Sequence, residues 1–169
     1  YGLTELGPKE SDDPEVSGWG FELTLRLAAV DGELEPPAWP IQFLYWIAST
    51  IWRDGQPLGP GHSFLLPPGM LESYVPEVVG LGFVVDDALG RLQTANGAMA
   101  FLQAVPLRED EYHLISRWDA FHLFEAVSRV APRFVWAPGR ASVLSGPDGE
   151  ELLARAEAEG SSQAVHFAS

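Results

Sequence analysis

The sequence predicts a single α+β domain, and three observations carry that expectation. From Trp19 to Leu27 every odd position is apolar and every even one small or polar, the period of a strand with one buried face. Asn96-Gly97 stands between two further strand-like runs, Arg91 to Thr94 and Ala98 to Val105, and that dipeptide is the strongest short-range signal for a hairpin. Trp39 to Trp52 is apolar nearly all round, while Ala120 to Val130 carries Phe121, Phe124, Val127 and Val130 near helical spacing, so both read as helices.

In chain order, Tyr1 to Leu6 is expected as a short strand. A turn-rich acidic loop from Gly7 to Glu15 follows, with Glu10, Asp12, Asp13 and Glu15. The Trp19 strand places Glu22, Thr24 and Arg26 on one face, which should meet polar material or solvent. Asp31-Gly32 and Pro36-Pro37 close that strand, and Pro40 sits in the first turn of the next helix, where its missing N–H costs nothing. The Trp39 to Trp52 helix is expected to be buried on most sides, with Trp39, Trp46 and Trp52 in the core, and Arg53-Asp54-Gly55 to end it. The glycines and prolines between Gly55 and Gly69 predict an irregular surface loop. Val78 to Val85 reads as a strand interrupted by Gly80 and Gly82, the latter two marking turns or a bulge. Beyond the hairpin, Arg108 to Arg117 and Ala120 to Val130 are expected as helices and Phe134 to Trp136 as a short strand. Asp148 to Glu159 should be a helix stopped by Gly160, and Ala164 to Phe167 an edge strand. No repeat, low-complexity tract or composition break divides residues 1–169. The first residue is Tyr1 rather than Met, which leaves room for a segment ahead of it.

Composition narrows the function classes. The 169 residues are 46% apolar, with 24 acidic against 10 basic side chains, a net charge of -14 and a pI near 4.5. A chain of this length buries roughly 70% of its unfolded surface in one core, so it needs neither disulfides nor metal for stability. The absence of cysteine excludes thiolate catalysis, cysteine zinc sites and a disulfide framework, and it fits a reducing, cytoplasmic location. No apolar run reaches the roughly 18 residues of a membrane helix. A chain of charge -14 repels a phosphate backbone, so nucleic acid is excluded as a partner and a basic protein is favoured. Lys9 is the only lysine beside nine arginines, a bias expected of a GC-rich genome.

The residue types that usually carry chemistry lack the spacing for it. His62, His113, His122 and His166 form no H-x-x-x-H or H-x-E pair, and no serine lies in a Gly-x-Ser-x-Gly elbow. The carboxylate pairs Asp12-Asp13, Asp86-Asp87, Glu109 to Glu111 and Glu150-Glu151 do not meet the calcium-loop pattern and read best as solvated acids. No Gly-Lys-Ser/Thr follows the glycine-rich stretches, so no phosphate loop is expected. No catalytic residue, metal or cofactor is therefore assigned. Trp118 and Trp136 are expected as partly buried packing residues, with an exposed interface anchor as the alternative.

Tyr1-Gly2-Leu3-Thr4-Glu5-Leu6 and Asp13-Pro14-Glu15-Val16-Ser17-Gly18-Trp19-Gly20-Phe21-Glu22-Leu23-Thr24-Leu25-Arg26-Leu27 resemble the N-terminal domain of the Suppressor of fused family. Trp39-Pro40, Gly97-Ala98-Met99-Ala100-Phe101-Leu102-Gln103, Glu109-Asp110-Glu111 and the lone Trp118 agree with it. Pro138 to Leu144 and Glu159-Gly160-Ser161-Ser162 look like the ending of bacterial single-domain members. The resemblance implies a mixed, mostly antiparallel curved sheet flanked by helices, with no known catalytic activity. It also implies that the activity is protein binding. Animal members clamp a strand-like segment of the Gli transcription factors between this domain and a second one. Where they supply a Tyr and an Asp to that peptide, this chain aligns Thr50 and Gly61, which carry neither phenol nor charge, so that recognition does not transfer.

By the same resemblance, bacterial members of this length look like immunity proteins that neutralise a cognate toxin or other partner. The expected protein-binding residues are Asp12, Asp13 and Glu15 in the acidic loop, with Glu109, Asp110 and Glu111 as a second patch. The alternative is a regulatory or scaffolding module that takes an extended peptide at a sheet edge, along Tyr1 to Leu6 or Ala164 to Phe167.

Overall fold

The computed structural model describes residues 2–29, 35–160 and 166–167. Among these residues the elements are β1 (Val16–Thr24), α1 (Trp39–Asp54), β2 (Ser63–Leu65), β3 (Gly80–Val85), β4 (Arg91–Thr94), β5 (Gly97–Leu107), α2 (Glu109–Ile115), α3 (Ala120–Val130), a 3₁₀ turn at Pro132–Phe134, α4 (Pro147–Glu159) and β6 (His166–Phe167). The sheet runs β1-β5-β3-β2-β6, with β4 also paired to β5. β1 is parallel to β5 and β6 to β2, while β2–β3 and β4–β5 are antiparallel. The bonds Val79 N–H to Leu107 O and Asp86 N–H to Phe101 O run in opposite chain sense, so β3 is also antiparallel to β5. The fold is α+β with a mixed sheet, antiparallel in most of its pairings, as expected.

The chain forms two compact units, the first from Tyr1–Leu25, Ala29–Gly59 and Val84–Gln103. Its β1 begins and ends three residues before the alternating run, because β5 supplies partners only from Val16↔Ala98 to Thr24↔Gln103. The register shifts between Val16 and Phe21, and Gly18 (φ 55) lies in that irregular stretch. A Cβ on Gly18 would stand 2.5 Å from the Leu3 carbonyl oxygen, so glycine is needed there. Gly2 to Leu6 are not a strand. They cross β1 by single bonds, Trp19 N–H to Leu3 O at 2.7 Å and Thr4 N–H to the Glu22 carboxylate at 2.9 Å. On the polar face of β1, Glu22 thus meets backbone, while Thr24 donates to a side chain, the Asp86 carboxylate, at 2.8 Å. Tyr1 and Asp31-Gly32 lie outside the described residues.

The hairpin forms where expected with a different turn. Thr94 pairs with Gly97, which leaves Ala95-Asn96 as the loop and puts the positive φ, 115°, on the first residue of β5. α1 ends at Gly55, whose φ of 67° lets its N–H bond the Ile51 carbonyl at 2.9 Å. Only Phe43, Ile47 and Ile51 of α1 are buried, one stripe at i, i+4, i+8. The expectation of burial on most sides is corrected, because the helix has just one packed face.

The second unit comprises Arg26–Ala28, Pro60–Phe83 and Ala104–Ser169. Its core is made of Leu81, Phe83, Leu107, Leu114, Ile115, Leu123 and Val127, with Trp118 and Trp136 each 1% exposed. Gly80 and Gly82 do not interrupt β3; they make room above it. A Cβ on Gly80 would lie 2.5 Å from the Tyr112 ring of α2, and one on Gly82 would overlap the Phe124 ring of α3. β2 occupies part of the stretch expected to be irregular, held between β3 and β6.

Phe134 to Trp136 is not a strand, since Arg133 and Phe134 take left-handed φ values of 57° and 53° that cannot continue one. Trp136 instead exchanges backbone bonds with Arg26 and Ala28, and its indole N–H reaches the Ala104 carbonyl at 3.0 Å. α4 stops at Gly160 (φ 69) as expected. Of the expected edge strand, His166–Phe167 pairs with Ser63–Phe64, and the residues before it lie outside the described residues. No helix among the described residues is long and apolar enough to cross a membrane.

Candidate protein-binding surface

The acidic loop is built around Glu5 and Lys9. One Glu5 oxygen accepts the N–H groups of Glu10 (2.8 Å) and Ser11 (2.6 Å), and the other accepts the Ser11 hydroxyl, the Lys9 ammonium and the Gly18 N–H. Burial by itself would raise the pKa of Glu5, but these donors favour the charged form more strongly and bring it to about 2. Lys9 turns inward, with its Nζ facing the Ser11 hydroxyl at 2.9 Å and the carbonyls of Val16 (2.8 Å) and Asn96 (2.9 Å). Asn96, in the hairpin loop, donates to the carbonyls of Glu5 and Gly7. The loop is therefore tied to both β1 and the β4–β5 turn.

That frame leaves Asp12, Asp13 and Glu15 exposed, with the Asp13 carboxylate accepting the Glu15 N–H at 2.8 Å. Three carboxylates project from a backbone that is already ordered, so little entropy is lost on binding through them. No local sequence signal announces this frame, which joins Lys9 to Val16 and to Asn96 far along the chain. Lys9 offsets the Glu5 charge beneath the loop.

The second expected patch divides. Glu109 and Asp110 at the start of α2 are exposed. Glu111 is 0% exposed, and its place in a surface patch is corrected. Its two oxygens accept from the two terminal guanidinium nitrogens of Arg140 at 2.6 and 2.7 Å, the Arg108 N–H at 3.0 Å and the Val143 N–H at 3.0 Å. A buried carboxylate satisfied on every side is structural. Asp110 adds a bond from the Ser142 hydroxyl at 2.6 Å. Asp86 is likewise buried, accepting the N–H groups of Ala88 and Leu89 and the Thr24 hydroxyl. No group of three or more His, Asp or Glu among the described residues is placed to hold a metal ion.

An apolar surface that the sequence did not announce lies on α1. Ile41, Tyr45 and Trp52 are 73%, 75% and 64% exposed, on the side away from Phe43, Ile47 and Ile51. The expectation of Trp52 in the core is corrected: it is exposed, and its ring meets that of Trp19 with centroids 5.8 Å apart. Thr50 is half-buried on the same helix and Gly61 (φ 87) belongs to the second unit.

Comparison with known proteins points in one direction. The family model described as Suppressor of fused protein (SUFU) matches residues 1–141. The human Suppressor of fused homolog is 29% identical over 116 residues, which is 68% of this chain and 23% of that protein; the mouse homolog is 28% identical over the same length. The chain thus spans about a quarter of the length of these relatives. Among solved structures, Drosophila Suppressor of Fused superposes with a TM-score of 0.83 at 24% identity, covering 94% of this chain and 40% of that one. A Sufu-Fu complex superposes with a TM-score of 0.80 at 24% identity, covering 91% and 71%.

Proposed function

Since the chain belongs to the Suppressor of fused family, we propose that it is a non-enzymatic binding domain, an immunity-type protein that neutralises a cognate basic partner in the cytoplasm. The observation that carries this reading is the ordered acidic loop, in which Asp12, Asp13 and Glu15 are exposed on a backbone fixed by Glu5, Lys9 and Asn96. The net charge of -14 supports it, because complementary charge steers a partner and raises the association rate more than it adds affinity. A structural neighbour is a Sufu-Fu complex, which supports protein binding by this fold. Glu109 and Asp110 are a second acidic surface for the same partner.

The test is purification of the tagged protein from its own cells at low and high salt. A single stoichiometric basic partner that leaves in high salt is expected, and the purified protein should inhibit that partner's activity. Reversing Asp12, Asp13 and Glu15 together to lysine should slow association and flatten its salt dependence. An unchanged on-rate would remove the loop from the interface. Only salt-resistant partners would favour the sheet-edge peptide reading, for which β6 is the described edge.

A further inference from the structure

The exposed face of α1 has no part in the reading above. At 100° per residue Ile41, Tyr45, Ala48 and Trp52 fall on one stripe, opposite Phe43, Ile47 and Ile51. From Ile41 to Trp52 the stripe extends roughly 16 Å along the helix. Soluble surfaces scatter large apolar side chains singly, whereas here three lie in a row and two are the residue types that most often anchor interfaces.

Two observations say what covers the stripe. Its Trp52 end touches Trp19 of β1, and Trp19 follows Glu15 by four residues, at most roughly 13 Å of extended chain. The apolar stripe therefore adjoins the acidic loop within the same compact unit. A second copy of the chain is disfavoured, because it would bring another charge of -14 against these carboxylates.

We propose that the α1 stripe is the anchor for an amphipathic segment of the partner, whose apolar side chains cover Ile41, Tyr45 and Trp52 while its lysines and arginines face Asp12, Asp13 and Glu15. This rests on the acidic loop being partner-facing and adds what holds the partner once it has arrived. Charge sets the on-rate and the aromatic anchors set the off-rate.

The probe is a synthetic helical peptide of about four turns with leucines on one face and lysines on the other. Two controls replace its leucines with serine or its lysines with glutamate. On titration, amide resonances along both α1 and the loop should shift, and each control should bind at least about tenfold more weakly. The double variant Tyr45→Ser, Trp52→Ser should keep its melting temperature within a few degrees, and should lose about tenfold or more in affinity through a faster off-rate. Binding that shifts the loop alone, or that the double variant leaves unchanged, would overturn the stripe while sparing the acidic loop. Binding indifferent to loop charge reversal would sink the loop and with it this occupant. No binding of the lysine-leucine peptide overturns the proposal, as does a dimer in sedimentation that the double variant dissolves.

Discussion

At the scale of single residues, two buried or half-buried carboxylates do work that their sequence neighbours do not. Glu111 follows Glu109 and Asp110, yet it alone is enclosed, and its four bonds connect α2 to Arg140 and Val143. Removing Arg140 leaves that charge without its main partner. Arg140→Ala should therefore cost about 3–5 kcal/mol in urea unfolding, and Arg140→Lys, which cannot bond both oxygens through a planar fork, should recover only part of it. Glu5 gives a pH prediction. Its pKa is depressed from 4.5 to about 2, so the stability it contributes is fully present above pH 4.5 and is lost as pH falls towards 2. Protection of the Glu10 and Ser11 amides, measured as exchange relative to the intrinsic rate at each pH, should fall across that window, and Glu5→Gln should show low protection there at neutral pH. Protection factors unchanged between pH 4.5 and 2 would mean that the loop does not depend on the carboxylate.

At the scale of elements, the glycines of β3 illustrate how a correct local observation can carry the wrong meaning. Gly80 and Gly82 read as interruptions because a glycine weakens an isolated strand. The strand is intact, and the missing side chains admit Tyr112 and Phe124 from the helices above. Gly82→Ala should then destabilise by about 1–3 kcal/mol through overpacking against Phe124, and Phe124→Leu should relieve part of that loss in the double variant. An Ala at position 82 that unfolds at the wild-type midpoint would show that α3 can move aside freely. α1 carries the complementary lesson: hydrophobicity all round predicts burial all round, but only Phe43, Ile47 and Ile51 are fully buried. Ile41, Tyr45 and Trp52 stay on the surface, while Trp39, Leu44 and Trp46 are half-buried.

At the scale of the whole molecule, strands β3 and β5 each run through both compact units. Separate unfolding of either unit would break these strands in mid-ladder, so a single cooperative transition is expected, with circular dichroism and tryptophan fluorescence midpoints coinciding. Two resolved midpoints would show that the units unfold separately. The sequence by itself determined what depends on near neighbours: the composition that bars thiol chemistry, the glycine stops after Asp54 and Glu159, and the hairpin around Asn96. The resemblance to the family was also legible there, since the Gly18 to Thr24 block is a contiguous string. Tertiary structure alone decided which carboxylates are surface and which are structural, because burial of Glu111 depends on Arg140, 29 residues away. It alone ordered the acidic loop, since Asn96 reaches Glu5 across 91 positions of chain. It also chose which stripe of α1 is covered. Local pattern records what a side chain prefers, whereas its environment is set by segments that periodicity cannot bring together.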